Sequence, residues 1–267
     1  MRSDGVTAGE PSVGVPAREL GADRFGRPSA GAARPFASDA APSPIPVRSF
    51  MPVPRELADL PYGRHLDPFH GELDREGDYN TIHFEGDEFE EGEGGNSRFT
   101  ECAFTQVAFI GGAYRRARFN DVWLHTVRWV GTDLVETVWL DAEVIASALS
   151  GVQMFSSELR RMTFFNCKFD SVNFRTATLQ AVSFVDCLLR DIDFGGATLT
   201  VVTFAGSALD EVRFGKARLQ KVDLRGATSL GIRDGVEALQ GATITTMQLL
   251  DLAPMFAQAI GVTVQDH

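Results

Sequence analysis

Residues 162–204 read MTFFNCKFDSVNFRTATLQAVSFVDCLLRDIDFGGATLTVVTF. Every fifth residue from Phe164 is large and apolar: Phe164, Phe169, Phe174, Leu179, Phe184, Leu189, Phe194, Leu199 and Phe204. Two residues before each stands a second column, including Cys167, Val172, Ala177, Val182, Cys187, Ala197 and Val202. Followed outward, the large column runs from Phe99 to Leu224 through 26 positions without a slip, and Phe84 and Phe89 extend it upstream. In the second column, from Ser97 to Val222, only Met162 and Ile192 exceed valine in size.

The period decides the structure. On an α-helix a step of five residues turns the side chain by about 140°, which would scatter the large residues around the axis. On a continuous strand an odd step alternates faces. The sequence requires a two-residue step that keeps one face, then a corner. The small and large residues of each pentad therefore point inward, and the chain coils around a narrow axis with each turn bonded to the next. Four pentads close a turn, because Phe164, Phe184 and Phe204 recur at 20 residues, as do Phe174, Phe194 and Phe214 and also Leu179, Leu199 and Leu219. A triangle of three pentads would set Leu179 over Phe164. The 26 pentads predict about six and a half turns, roughly 31 Å at the strand spacing of about 4.8 Å. There is no proline between Pro68 and Pro254, as expected where each backbone N–H serves a ladder.

The flanking segments differ in composition. Residues 1–47 are rich in Ala, Pro, Gly and Ser, and their only aromatics are Phe25 and Phe36, which predicts a disordered tail. Residues 48–79 read as an extended arm. Leu57, Leu60, Tyr62, Leu66 and Phe69 alternate there with Pro52, Pro54, Pro61 and Pro68. The β-helix spans 80–228. The remainder, 229–267, forms a helical cap over the open end of the coil, as unpaired strand edges require. Thr245 or Thr246 is the expected N-cap and Gly261 the C-cap, with Pro254 splitting the segment into two short helices.

A small residue, a polar residue, a large Leu or Phe and two variable residues make up the repeat. Ala177-Thr178-Leu179, Ala197-Thr198-Leu199, Ala217-Arg218-Leu219 and Val222-Asp223-Leu224 show it. In this the chain resembles the pentapeptide-repeat family over residues 97–228. The resemblance implies an all-β fold: a right-handed quadrilateral parallel β-helix, a pentapeptide-repeat solenoid. The frequent valine in the small column departs from the family's alanine. Some characterised members protect or modulate DNA gyrase or topoisomerase IV, in quinolone resistance or self-immunity, by imitating DNA with an acidic rod. In some the C-terminal helix also makes a dimer contact, so a homodimer through that helix is an expectation here.

Charge tests the imitation. The chain of 267 residues carries a net charge of -11, but residues 67–96 hold 11 acids against Arg75 alone, while residues 97–227 hold 14 acids and 15 bases. A nearly neutral rod imitates a phosphate backbone poorly. Glycines 92, 94 and 95 mark a flexible loop within the acidic stretch. The overall acidity also argues against direct nucleic-acid binding.

Chemistry is sparse. Cys102, Cys167 and Cys187 all fall in the small inward column, where thiols act as small buried groups. Of five histidines, His65 and His70 lie near Asp67 but form no metal-binding pattern. No nucleotide loop or nucleophile motif is present. The expectation is no enzyme activity, no catalytic residue, no metal and no cofactor. No secretory signal or membrane span is read, so a cytoplasmic location is expected, and 22 Arg against three Lys suggest a GC-rich bacterial source.

One outward column is out of character. Ile145, Phe165 and Val185 stack at 20-residue spacing beside Trp123, and Phe155 stands in the same column position. A contiguous apolar patch on an outer wall marks a contact. Two occupants are open: the arm folding back over the wall, or a protein partner or second copy. Trp123, Ile145, Phe155, Phe165 and Val185 are the predicted partner-binding set of a non-enzymatic protein-binding scaffold. Gyrase modulation is the alternative.

Overall fold

The computed structural model describes residues 52–265. The tail expected over 1–47 and the first arm residues, 48–51, lie outside the described residues. From residue 67 the chain winds as a parallel β-solenoid. One sheet of 15 strands covers two adjoining walls and a second of eight strands covers another. Leu159 pairs with Leu179, Phe164 with Phe184 and Phe169 with Leu189, so the register is 20 residues. We number the walls by their inward residues: wall one from Phe84 to Leu224, wall two from Phe89 to Leu209, wall three from Tyr114 to Phe214, and wall four from Tyr79 to Leu219.

All 26 large positions from Phe99 to Leu224 are buried. The rings stack in columns, with centroids 5.1 Å apart for Phe164 and Phe184 and 3.8 Å for Phe119 and Trp139. Such stacks add about 0.5–1.5 kcal/mol each beyond the area they bury. The small column is buried with them, Gly112 being the one half-buried member. Its hydroxyls bond rung to rung: Ser157 Oγ donates to Leu134 O at 2.9 Å, and Ser147 Oγ accepts from the Val127 amide at 2.9 Å. Cys102, Cys167 and Cys187 are free and buried there.

The corner has a backbone cause. The last residue of nearly every pentad adopts a left-handed conformation, with φ of 52° at Glu101, 55° at Gln106, 59° at Arg116 and 50° at Asp121. A single left-handed residue turns the chain onto the next wall, even within the continuous strands Glu158–Phe165 and Thr178–Val185. Gly111, Gly131, Gly151, Gly196 and Gly206 occupy this place without the Cβ penalty, whereas Val201 adopts it with φ 56°.

The coil is longer than its repeat count. Eight strands stack on wall two, roughly 34 Å at about 4.8 Å each. The added turns come from both flanks. At the start, Asp67 pairs with Ile82, a first turn of only 15 residues that begins inside the expected arm. Phe69 then packs on Phe84 at 4.5 Å, and Leu73 closes the lower end of the core. Residues 92–95 belong to a turn of the coil instead of a free loop. A Cβ on Gly92 or Gly94 would collide with the Tyr114 ring, which rises from the next rung to fill their places. At the end, Ser229–Asp234 adds a strand within the expected cap.

The cap is one helix, Thr246–Ala259, not two. Thr245 and Gln248 form a reciprocal capping box, and Gln248 Nε2 donates to Leu224 O at 2.8 Å, tying the helix to the last turn. Leu252 is buried against the coil end, with Met255 and Phe256 beside it. Pro254 leaves the helix unbroken. The carbonyl it deprives of a donor is that of Leu250, a residue 61 % exposed on the solvent side of the helix. No described helix is long and apolar enough to cross a membrane.

Candidate binding wall beneath the arm

Wall one carries the apolar patch. Trp123 follows Ala103 in one ladder, and Phe165 lies between Ile145 and Val185 in another. The tight register forces these side chains outward, because their neighbours Leu124, Val144, Phe164 and Phe184 point in. Trp123, Ile145, Phe165 and Val185 are nonetheless buried, at 5 %, 7 %, 2 % and 5 % exposure.

The cover is the chain's own arm. Leu60 and Tyr62 are buried in one cluster with Ala103, Trp123, Ile145, Phe165 and Val185, and Leu57 and Leu66 pack at its margin. A 3-10 turn, Leu57–Asp59, bends the arm, with the Glu56 amide donating to Asp59 Oδ2 at 3.0 Å. Two polar links fix its position. The Trp123 indole N–H donates to Arg55 O at 3.1 Å, and Arg55 Nε donates to Glu143 Oε2 at 2.8 Å. Glu143 is a charged residue buried to 7 % exposure. Burial works against the Arg55 charge, but Glu143 outweighs it and holds the guanidinium above its ordinary value. Burial, with the Asp121 charge nearby, raises the Tyr62 phenol. Its hydroxyl has no partner among the described residues. Asp121 is itself raised, by burial against the pull of Arg55.

Phe155 is not part of this patch. It sits two pentads from both Ile145 and Phe165, on wall three, which lies opposite wall one. There it is 37 % exposed above a buried Val135. Position in the pentad therefore matched while position around the axis did not, and the 20-residue spacing already carried that distinction. Arg55, Glu143 and Ala103 were absent from the predicted set. A lone acid at an outward position between apolar neighbours was the available signal for Glu143.

The rest of the surface is knitted by arginine. Arg116 bonds Glu136 at 3.0 Å and Arg161 bonds Asp141 at 2.6 Å, each to the adjacent rung. Hydrogen bonds from Arg161 hold the Asp141 carboxyl below its ordinary value, and Ser171 and Arg213 do the same for Asp191. Inside the coil, the space among Leu124, Trp129, Trp139, Met154 and Phe164 is about 10 Å³, at the lower limit for one water. No group of three His, Cys, Asp or Glu among the described residues could hold a metal ion.

Residues 139–214 match the family model described as a pentapeptide repeat region. Over these residues the coil is a pentapeptide-repeat solenoid. Among solved structures, a trypsin-treated form of QnrB1 is similar to it; QnrB1 is described as a plasmid-mediated fluoroquinolone resistance protein. The likeness is at 11 % identity over 71 % of this chain and 100 % of that one, with a TM-score of 0.35. HetL, a pentapeptide repeat protein involved in heterocyst differentiation regulation in the cyanobacterium Nostoc, shares 16 % identity. It covers 65 % of this chain and 92 % of its own, with a TM-score of 0.18. No curated protein sequence matches the chain.

Proposed function

We propose that this protein is a non-enzymatic scaffold that binds protein segments on wall one of its coil. The observation that carries the reading is the arm itself. Wall one already holds an extended peptide through a buried leucine and tyrosine, an indole hydrogen bond and an ion pair. The same surface suits a partner segment of similar chemistry: a basic residue followed by leucines and an aromatic. Trp123, Ile145, Phe165 and Val185 form its floor once the arm lifts, and Phe155 offers a separate contact on wall three. The three buried, unpaired thiols favour a reducing compartment, the cytoplasm.

A labelled peptide with the sequence of residues 53–66 tests this reading on the full chain and on Tyr62→Glu. The substitution drives the resident arm off by placing a charge in the apolar cluster. The peptide is expected to bind the variant at least tenfold more tightly than the wild type. Absence of binding to a folded Tyr62→Glu protein would remove the wall as a binding site.

A second copy is a further partner in this reading. Met247, Leu249 and Leu250 are exposed on the C-terminal helix, with Ile260 and Val262 just beyond it. Sedimentation equilibrium of wild type against Leu250→Glu tests a dimer there. Gyrase modulation by imitation of DNA draws no support from the walls, whose carboxylates at Asp133, Glu136, Asp141, Asp170, Asp191 and Asp193 are paired with arginines. A supercoiling assay with and without a quinolone is the direct check.

A further inference from the structure

The lower end of the coil is acidic. Residues 67–96 hold 11 acids, and none of them forms an ion pair among the described residues, whereas nine of the 14 acids in residues 97–227 do. The strand Glu88–Glu90 is the first of the eight on wall two, with Phe89 facing in and both glutamates exposed. A recess of about 380 Å³ opens beside it. Leu73 and Phe89 give the recess an apolar floor, and Glu72, Glu88, Glu90, Glu91 and Glu93 surround it. Glu91 accepts a bond from the Gly112 amide at 3.3 Å, while the other four carboxylates have no hydrogen-bond donor among the described residues. Arg75, the segment's one arginine, lies towards Gly95 and does not line the recess.

A buried hydroxyl points to the same place. Tyr114 is 0 % exposed, and its hydroxyl has no partner among the described residues. The ring reaches from the next rung across Gly94 and sets the hydroxyl where a Cβ of Gly92 would stand, and Gly92 lines the recess. Burial, and then the charge of Glu93, push the phenol above its ordinary value, so it stays neutral. Buried polar groups are almost always partnered, and a donor arriving from the recess would supply what this oxygen lacks. The carboxylates are too widely spread to share one ion, since no three acids, histidines or cysteines among the described residues could hold a metal. Their charge suits several cations carried along one chain.

We propose that the acidic recess at the lower end of the coil is a second interaction surface, which takes a lysine-rich, leucine-containing segment of a partner protein. One lysine enters between Glu88, Glu90 and Glu93 and donates to the Tyr114 hydroxyl. Its apolar stem lies along Phe89 while the ammonium reaches inward. Further lysines meet Glu72 and Glu91, and a leucine of the segment covers Leu73. Charge complementarity selects this occupant over a neutral or acidic one and speeds the encounter.

The probe is a short fluorescein-labelled peptide alternating lysine with leucine and alanine, titrated against the full chain by anisotropy. Saturable binding is expected, weakened about tenfold in the double variant E88Q/E90Q. Both side chains are exposed, so the variant keeps its melting temperature. E158Q/D210N changes the net charge equally at exposed carboxylates on higher rungs and is expected to bind as the wild type does. Tyr114→Phe keeps the ring but removes the oxygen, and is expected to weaken binding about fivefold. Tyr62→Glu, which opens wall one, is expected to leave this affinity unchanged. Equal weakening in the two double variants would reduce the effect to general charge attraction and overturn the proposal. So would absence of saturation, unchanged affinity in Tyr114→Phe, or tighter binding to Tyr62→Glu, which would place the peptide on wall one.

Discussion

Removing Arg55 should loosen the arm far more than neutralising Glu143. In Arg55→Ala the arm can still close, but closing then seals beneath it a carboxylate at 7 % exposure that keeps only the long 3.4 Å bond from the residue-55 amide and has lost its charged donor. Leaving a buried charged acceptor without its donor costs about 2 kcal/mol, the middle of the usual range. When the arm lifts, Glu143 regains water, so the penalty falls on the closed state alone. A 2 kcal/mol change is about a 30-fold shift in the opening equilibrium. Glu143→Gln removes the charge but keeps an oxygen for Arg55, so its effect is expected below about fivefold, as for a neutral hydrogen bond. Amide hydrogen exchange reads the difference at Leu60, Gly63 and His65, whose N–H groups bond to Leu57, Leu60 and Tyr62 carbonyls within the arm. Amides of the strand Thr178–Val185 serve as the internal control. The reasoning fails if the two variants exchange alike in the arm, or if the control strand accelerates in step with it. In the latter case the arm is part of the global folding unit and not a separately opening segment.

Three further outcomes follow from local geometry. Val201→Asn should stabilise the coil by about 1 kcal/mol in urea titration, because a β-branched residue at φ 56° pays the left-handed penalty that Asn largely escapes. Asp121→Asn should raise the melting temperature at pH 7. Burial lifts the Asp121 carboxyl above its ordinary 3.8, so its charged form costs stability, and the gain should vanish as pH falls below that value and both states protonate. Leu179→Ala should cost about 2–5 kcal/mol by calorimetry, since the side chain is fully buried between Leu159 and Leu199 and its neighbours are pinned by the ladders.

The coil was legible because its order is local and repeated. A large residue every five positions specifies an inward face, and recurrence of Phe and Leu at 20 specifies which rungs stack, without any contact between distant elements. The edges were less legible. Gly94 stands in the large column, and only the neighbouring Tyr114 ring explains why the rung persists there. Pro254 reads as a break, and only the tertiary structure shows that Leu250, whose carbonyl it deprives, lies on the solvent side of the helix.

The sequence by itself determined the register, the inward columns and the existence of an apolar stripe at Trp123, Ile145, Phe165 and Val185. It left open what lies on that stripe, and it grouped Phe155 with residues that the axis places on the opposite wall. The tertiary structure decided both. Periodicity fixes where side chains point along a repeat, but the arm has no repeat. Its position depends on Arg55 finding Glu143 88 residues away and on Tyr62 and Leu60 fitting the wall.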